Sequence, residues 1–289
     1  MRRWVFGWIM GVLAFAPCVS AQLQVRLGAE RDNYIQHEPI IIDTYLISRN
    51  AGAIVLGDHD GWIRFSVRNG RGIPVRVNAR MPRGNLFVLG RGRSLMRTFN
   101  LEPYFDFSEP GEYTIQASVA NRNWTDLRFE SAPVKIQVVR GRVLQERQRG
   151  MPAVRPGEPP EVRRYTLLTT RVKGKSNLFL RVTDHHQPPR VIYNVAPLGV
   201  MVHQARPRFG LDSDGMSHVF FQSHGQHYFY CQVDGNGELR KRETYARGRG
   251  APDLQVDPIG RFLVVGGERQ VAVTDYPAPI NAKLGGRDK

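Results

Sequence analysis

Cysteine is nearly missing from this chain: Cys18 and Cys231 are the only two in 289 residues. A small fold stapled by disulfides is therefore excluded. Long apolar runs are also scarce. The longest, Trp4 to Ala16, falls short of the ~20 residues a membrane-spanning helix requires. No stretch repeats apolar residues with sustained helical period, so long amphipathic helices are not expected. No block of five or six basic residues occurs either, which removes the usual polybasic tail. A G-x-S-x-G elbow is absent, and serine-hydrolase chemistry loses its local signature with it.

The amino end carries the clearest address. Arg2 and Arg3 precede the apolar stretch, and Val19-Ser20-Ala21 supplies small residues where a signal peptidase reads. Residues 1–21 are expected to be a secretory signal, with export to the periplasm or beyond and no transmembrane segment after cleavage. Lipidation of Cys18 is the rival reading, and Pro17 directly before it fits that poorly. Cleavage leaves Cys231 alone in the alternating segment "HYFYCQV", where a buried, inert thiol is the expectation.

Charge is abundant and one-sided. The formal net charge is +15, two units of it from Arg2 and Arg3. An exported protein meets little nucleic acid, so the anionic partners to expect are acidic polysaccharide, a lipid surface or an acidic protein. The plain alternative is arginine scattered over solvated strand faces.

The pattern divides the chain. Residues 22–140 hold six strand-like runs separated by turn clusters, at the spacing of two packed antiparallel sheets. Residues 141–161, "GRVLQERQRGMPAVRPGEPPE", replace that alternation with proline, glycine and charge, and are expected to be a semi-rigid linker. Residues 162–280 return to short alternating runs, and 281–289 read as a tail. The fold class expected is all-β.

In "FSEPGEYTIQASV", Pro110-Gly111 reads as a turn, after which Tyr113, Ile115 and Ala117 share one face. With "RNAGAIVL" and "APVKIQVV", this stretch resembles the immunoglobulin-like modules of exported bacterial proteins. The resemblance implies a β-sandwich in which Tyr113 anchors a corner through its hydroxyl. It implies no ligand.

The second part contains an internal repeat. "PRFGLDSDGMSHVFF" laid over "PDLQVDPIGRFLVVG" pairs Pro207 with Pro252, Asp212 with Asp257, Gly215 with Gly260 and Val219 with Val264, each 45 residues apart. "VTD" at 182–184, "QVD" at 232–234 and "VTD" at 273–275 read as strand ends of comparable units. Such a period points to propeller-like blades. The repeats resemble those of NHL-type and Asp-box-type propellers, without the serine and tryptophan of the Asp box.

The repeat also decides how the acidic loop is read. A calcium loop would keep an oxygen ligand at Asp214, yet Ile259 occupies the aligned position. What persists is Asp followed three residues later by Gly, the chemistry of a β-turn. "DGNGE" at 234–238 is read the same way, since Leu239 stands where a calcium-binding EF-hand loop needs glycine.

Catalytic constellations are thin. "GKS" at 174–176 ends like a phosphate-binding loop, but Thr169 replaces its first glycine. His218, His224 and His227 cluster in sequence, with His185-His186 elsewhere, and no third zinc ligand is fixed. Asp58, His59 and Asp60 share a loop without a named partner, and Asn123-Trp124-Thr125 matches a glycosylation acceptor. No cofactor is indicated. Two functions follow: an exported non-catalytic binding or scaffold protein contacting an anionic component, or a glycan-active lyase or glycosidase using His218, His224, His227 and nearby Arg and Tyr.

Overall fold

The computed structural model describes residues 23–49, 52–82, 84–121, 127–151, 160–172 and 174–277. Among these residues every regular element is a strand, and no helix long and apolar enough to cross a membrane occurs. Cys18, the residues of the expected signal, Asn123-Trp124-Thr125 and the expected tail lie outside them.

The first half runs β1 (Leu23–Ala29), β2 (Asn33–Ile35), β3 (Ile41–Ser48), β4 (Ile54–Leu56), β5 (Ile63–Asn69), β6 (Phe87–Leu89), β7 (Ser94–Asn100), β8 (Gly111–Ala120), β9 (Arg128–Glu130) and β10 (Val134–Val139). One sheet has the order β1-β3-β7, a second the order β2-β10-β8-β5 with β9 also on β8, and β4 pairs β6. Among the described residues of this half, only β2 and β10 pair in parallel. Period-two alternation places one face of each strand inward. Along β8, Tyr113, Ile115, Ala117 and Val119 are all buried, and they share a core with Ile42, Leu46, Trp62 and Phe65. Ile115 has no exposed surface, so truncating it to alanine costs about 2–5 kcal/mol.

Tyr113 ties the corner ahead of β8. Its hydroxyl donates to the Glu109 carbonyl at 2.6 Å, and its ring meets Phe107 edge-on with centroids 5.1 Å apart. The chain bends at Glu109, so Gly111 is not a turn residue: it opens β8 opposite Val138.

The second half begins earlier than the composition suggests. β11 (Arg142–Met151) occupies half of the segment expected to be a linker, while 152–159 lie outside the described residues. An edge strand needs a backbone ladder on one side only and no apolar alternation, and β11 has this through β12 (Glu161–Val172). Its polar side chains are used as well: Gln145 donates to the Pro207 carbonyl, Arg147 to Phe209 and Arg149 to Ser213.

From β12 the chain meanders through β13 (Lys175–Asp184) and β14 (Ile192–Met201), completing a four-stranded antiparallel sheet. β15 (Arg208–Leu211), β16 (Ser217–His224), β17 (His227–Val233) and β18 (Leu239–Arg247) form a second meander. β19 (Asp253–Val256) and β20 (Phe262–Val265) make a separate hairpin, and β21 (Gly267–Gln270) returns to the outer edge of β18. The two large sheets enclose a core of Tyr165, Leu167, Leu178 and Leu180 with Val219, Phe221, Phe229 and Val233. None of the sheets formed by the described residues closes on itself.

The "VTD" at 273–275 does not end a strand. It is a turn in which the buried Asp275 accepts from Thr244 at 2.8 Å, Arg269 at 2.8 Å and the Ala272 amide at 3.1 Å. A carboxylate with three donors to satisfy bends the chain around itself.

Candidate functional site

The two halves meet where the chain passes from β10 to β11. Ile35 from the first half is buried with Leu168, Phe179 and Val195 from the second. Gly141 crosses directly over this contact: a Cβ there would stand 2.4 Å from Ile35 Cδ1 and 3.1 Å from Leu168 Cβ. Only glycine passes without displacing the seam. Its neighbours Arg140 and Arg142 are thereby fixed at the end of the β11-β12-β13-β14 sheet.

At that end lies a pocket of about 260 Å³. Arg140, Arg142, Arg171 and His203 line it, together with the buried Ser176 and Thr170. The ladders place these groups. Arg142 pairs with Thr169, Arg171 with Ser176, and Ser176 with Met201, so four strand ends are brought level. No carboxylate belongs to the lining.

His203 links the set. Arg171 donates to its Nε2 at 3.3 Å, which leaves Nδ1 to carry the proton and donate to the Ser176 Oγ at 3.1 Å. This tautomer leaves the Ser176 hydroxyl hydrogen free for the pocket. It also denies Ser176 a base, because an imidazole that donates to a hydroxyl does not accept that hydroxyl's proton. The pocket is an array of donors. It suits a small oxyanion (phosphate, sulfate or carboxylate), which guanidinium forks bind with charge-assisted hydrogen bonds.

The sequence singled out part of this site for another reason. Ser176 closes "GKS" and Thr169 stands at its missing glycine, and both line the pocket. They do so as ladder residues, with Gly174 in the turn between β12 and β13 at φ +79°.

The histidines named from the sequence do not converge. His224 and His227 stack at the hairpin tip of β16 and β17, with centroids 4.7 Å apart. His218 sits six residues back along β16, roughly 20 Å away at the rise of a strand. It is buried, with Nε2 3.0 Å from Asp212 Oδ2 and Nδ1 2.7 Å from the Tyr230 hydroxyl. Gln232 donates to the same hydroxyl at 3.0 Å, and burial pushes the Tyr230 pKa up to about 12. Both ring nitrogens of His218 and the Tyr230 hydroxyl have partners inside the protein, which is the arrangement of a core tie. A shared His218, His224 and His227 site is thus not formed, since the extended β16 holds the residues at opposite ends.

Elsewhere, His186 lies 2.8 Å from Asp184, and His59 lies 2.8 Å from Asp58. Among the described residues no group of three or more His, Cys, Asp or Glu side chains is gathered to hold a metal ion.

The three acidic loops are one turn used three times. In each, the Asp Oδ1 accepts two backbone amides: Asp214 and Met216 onto Asp212, Asn236 and Glu238 onto Asp234, Ile259 and Arg261 onto Asp257. Gly215, Gly237 and Gly260 follow at φ +78°, +80° and +85°. The second oxygen also has a partner every time, namely His218, Arg240 or Arg261. Those hydrogen bonds from Arg261 hold the Asp257 carboxyl below the usual range.

No protein-family model matches this chain, and no curated protein matches it. Among solved structures, the sporulation control protein Spo0M of Bacillus subtilis is similar over 56% of this chain and 79% of that chain. The identity is 12% and the TM-score 0.28, a likeness too slight to carry over a fold or a role.

Proposed function

We propose that this is an exported, non-catalytic binding or scaffold protein that takes an anionic group of an envelope or extracellular component into the junction pocket. The observation behind this reading is the pocket's one-sided chemistry: three arginines, a histidine and buried Ser and Thr residues with no carboxylate among them. A net charge of +15 adds long-range attraction. In this reading the first half is an immunoglobulin-like module and the second a propeller-like β-repeat domain, with the ligand seated at their seam. The alternative, a glycan-active enzyme using His218, His224 and His227 together, is supported less, because the extended β16 holds His218 about 20 Å from His224.

The test uses polygalacturonate and vesicles containing phosphatidylglycerol, titrated at low and physiological salt. Binding should weaken steeply with salt, because exposed charges are screened beyond roughly 8 Å at 0.15 M ionic strength. Arg142→Ala and Arg171→Ala should each weaken it about tenfold, while Arg208→Ala, an arginine away from the pocket, should not. Equal loss from all three would reduce the attraction to bulk charge. Export is tested separately: the amino terminus of the exported protein should be Gln22.

A further inference from the structure

A second opening lies in the first half, along the free edge of β5. In the order β2-β10-β8-β5, the outer side of β5 has no neighbouring strand. The hydrogen bonds fix which main-chain groups face it. The Ala120 amide donates to the Trp62 carbonyl at 2.8 Å, so Trp62 and every second residue after it turn toward β8. Ala117, opposite Phe65, sends its carbonyl to Ser131 instead. Phe65 and Ile63 therefore point both N–H and C=O outward.

The chain covers only part of that edge. The Val75 amide donates to the Val67 carbonyl at 3.0 Å, and the Asn69 amide to the Ile73 carbonyl at 2.9 Å, closing β5 from Val67 onward. The segment then peels away. Arg76 accepts from the Asp106 amide, the Asn78 amide donates to the Tyr104 carbonyl, and Val77 bridges to Phe105. Beside Ile63 and Phe65 this leaves a cleft of about 710 Å³, and no described residue takes up their outward groups. Val77, Met81, Pro82 and Phe105 give it apolar walls. Arg64 and Arg80 stand at the rim with a single carboxylate, Asp60.

We infer that this slot captures an extended peptide segment of a partner protein, which adds a strand to β5 at Ile63–Phe65. A free edge offers alternating donors and acceptors that only another extended backbone matches in register. The apolar walls take one large side chain of that segment, and the two rim guanidinium groups select flanking Asp or Glu. The partner is thus an acidic, extended peptide with an apolar residue between its acids. This surface is separate from the junction pocket and does not depend on it.

The probe is the fluorescein-labelled peptide acetyl-Glu-Val-Leu-Val-Glu-amide, titrated onto the full chain, with hydrogen exchange followed at Ile63 and Phe65. Binding should slow exchange at these two amides. A copy of the peptide N-methylated at the alternate backbone positions should lose at least tenfold in affinity. Ala79→Trp, which fills the slot from an exposed loop, should also lose at least tenfold. Arg80→Glu should weaken this peptide and strengthen a lysine-flanked one. Unchanged binding of the N-methylated peptide would overturn strand addition in favour of plain apolar adhesion. Protection of Ile63 and Phe65 that rises with protein concentration and needs no peptide would assign the edge to a second copy of this chain and overturn the proposal. Absence of binding by every peptide at millimolar concentration would overturn it as well.

Discussion

The imidazole of His218 lies flat against the ring of Phe262, with centroids 4.2 Å and planes 13° apart. This contact docks the β19–β20 hairpin onto the second meander, and Gly210 makes room for it. A Cβ on Gly210 would stand 2.4 Å from two carbons of the Phe262 ring. Gly210→Ala should accordingly cost about 1–3 kcal/mol by overpacking. In a Phe262→Ala background the same substitution should cost much less, which urea unfolding of the four chains of the cycle would measure.

The repeated turns should not be equally tolerant. Gly215 and Gly260 both have positive φ, so an alanine at either is strained. At Gly260 nothing stands within 4 Å of the new Cβ, whereas at Gly215 it meets Met151 Sδ at 2.6 Å and the Tyr165 hydroxyl at 3.3 Å. Gly260→Ala should cost about 1 kcal/mol through backbone strain, and Gly215→Ala more, because its Cβ must also push aside the Met151 side chain and crowd the Tyr165 hydroxyl. Asp214→Ala, on an exposed side chain, should change the thermal midpoint little.

Asp275 should contribute to acid sensitivity. Burial alone would raise its pKa, but hydrogen bonds from Thr244, the Ala272 amide and Arg269 outweigh burial and hold it below the ordinary carboxyl value. The unfolded chain then takes up the proton first as the pH falls. Stability from this group is complete above roughly pH 4, where the unfolded carboxyl is ionised, and is lost as the pH drops through the lower folded value. Comparing urea midpoints of the wild type and Asp275→Asn between pH 7 and pH 2 should show a gap that narrows on acidification. A constant gap would contradict the assignment.

Cys231 should be silent in the native state. It is fully buried, its Sγ lies 3.9 Å from the Leu198 carbonyl, and burial pushes the thiol up to about 12. The thiolate is the reactive form, so a disulfide reagent at pH 8 should label Cys231 only in denaturant. Labelling in native buffer at the rate of free cysteine would show that the second core opens.

The sequence located the strands it could express as alternation and missed those it could not. "GEYTIQASV" and "WIRFSVRN" each write a buried face as every second apolar residue, and each is a strand. β11 writes nothing of the kind, because an edge strand of arginine, glutamine and glutamate is held by the ladder of β12 and by carbonyls of the 207–213 segment. The turn at 273–275 was hidden for the same reason. Its Asp275 looks like the Asp ending "QVD" until Thr244 and Arg269 come near it.

What the sequence determined by itself is local. Strand or helix is set by period, and an Asp followed three residues later by Gly closes the same turn at 212, 234 and 257, because a carboxylate oxygen and a positive φ act within five residues. What only the tertiary structure decided is convergence. Arg140, Arg142, Thr170, Arg171, Ser176 and His203 come from four separate places in the chain and line one pocket through strand register. His218, His224 and His227, adjacent in sequence, are kept apart by the extended backbone between them. Sequence proximity reports hydrogen bonds that close within one turn, whereas a pocket depends on ladders and on a glycine at 141 that lets two halves touch.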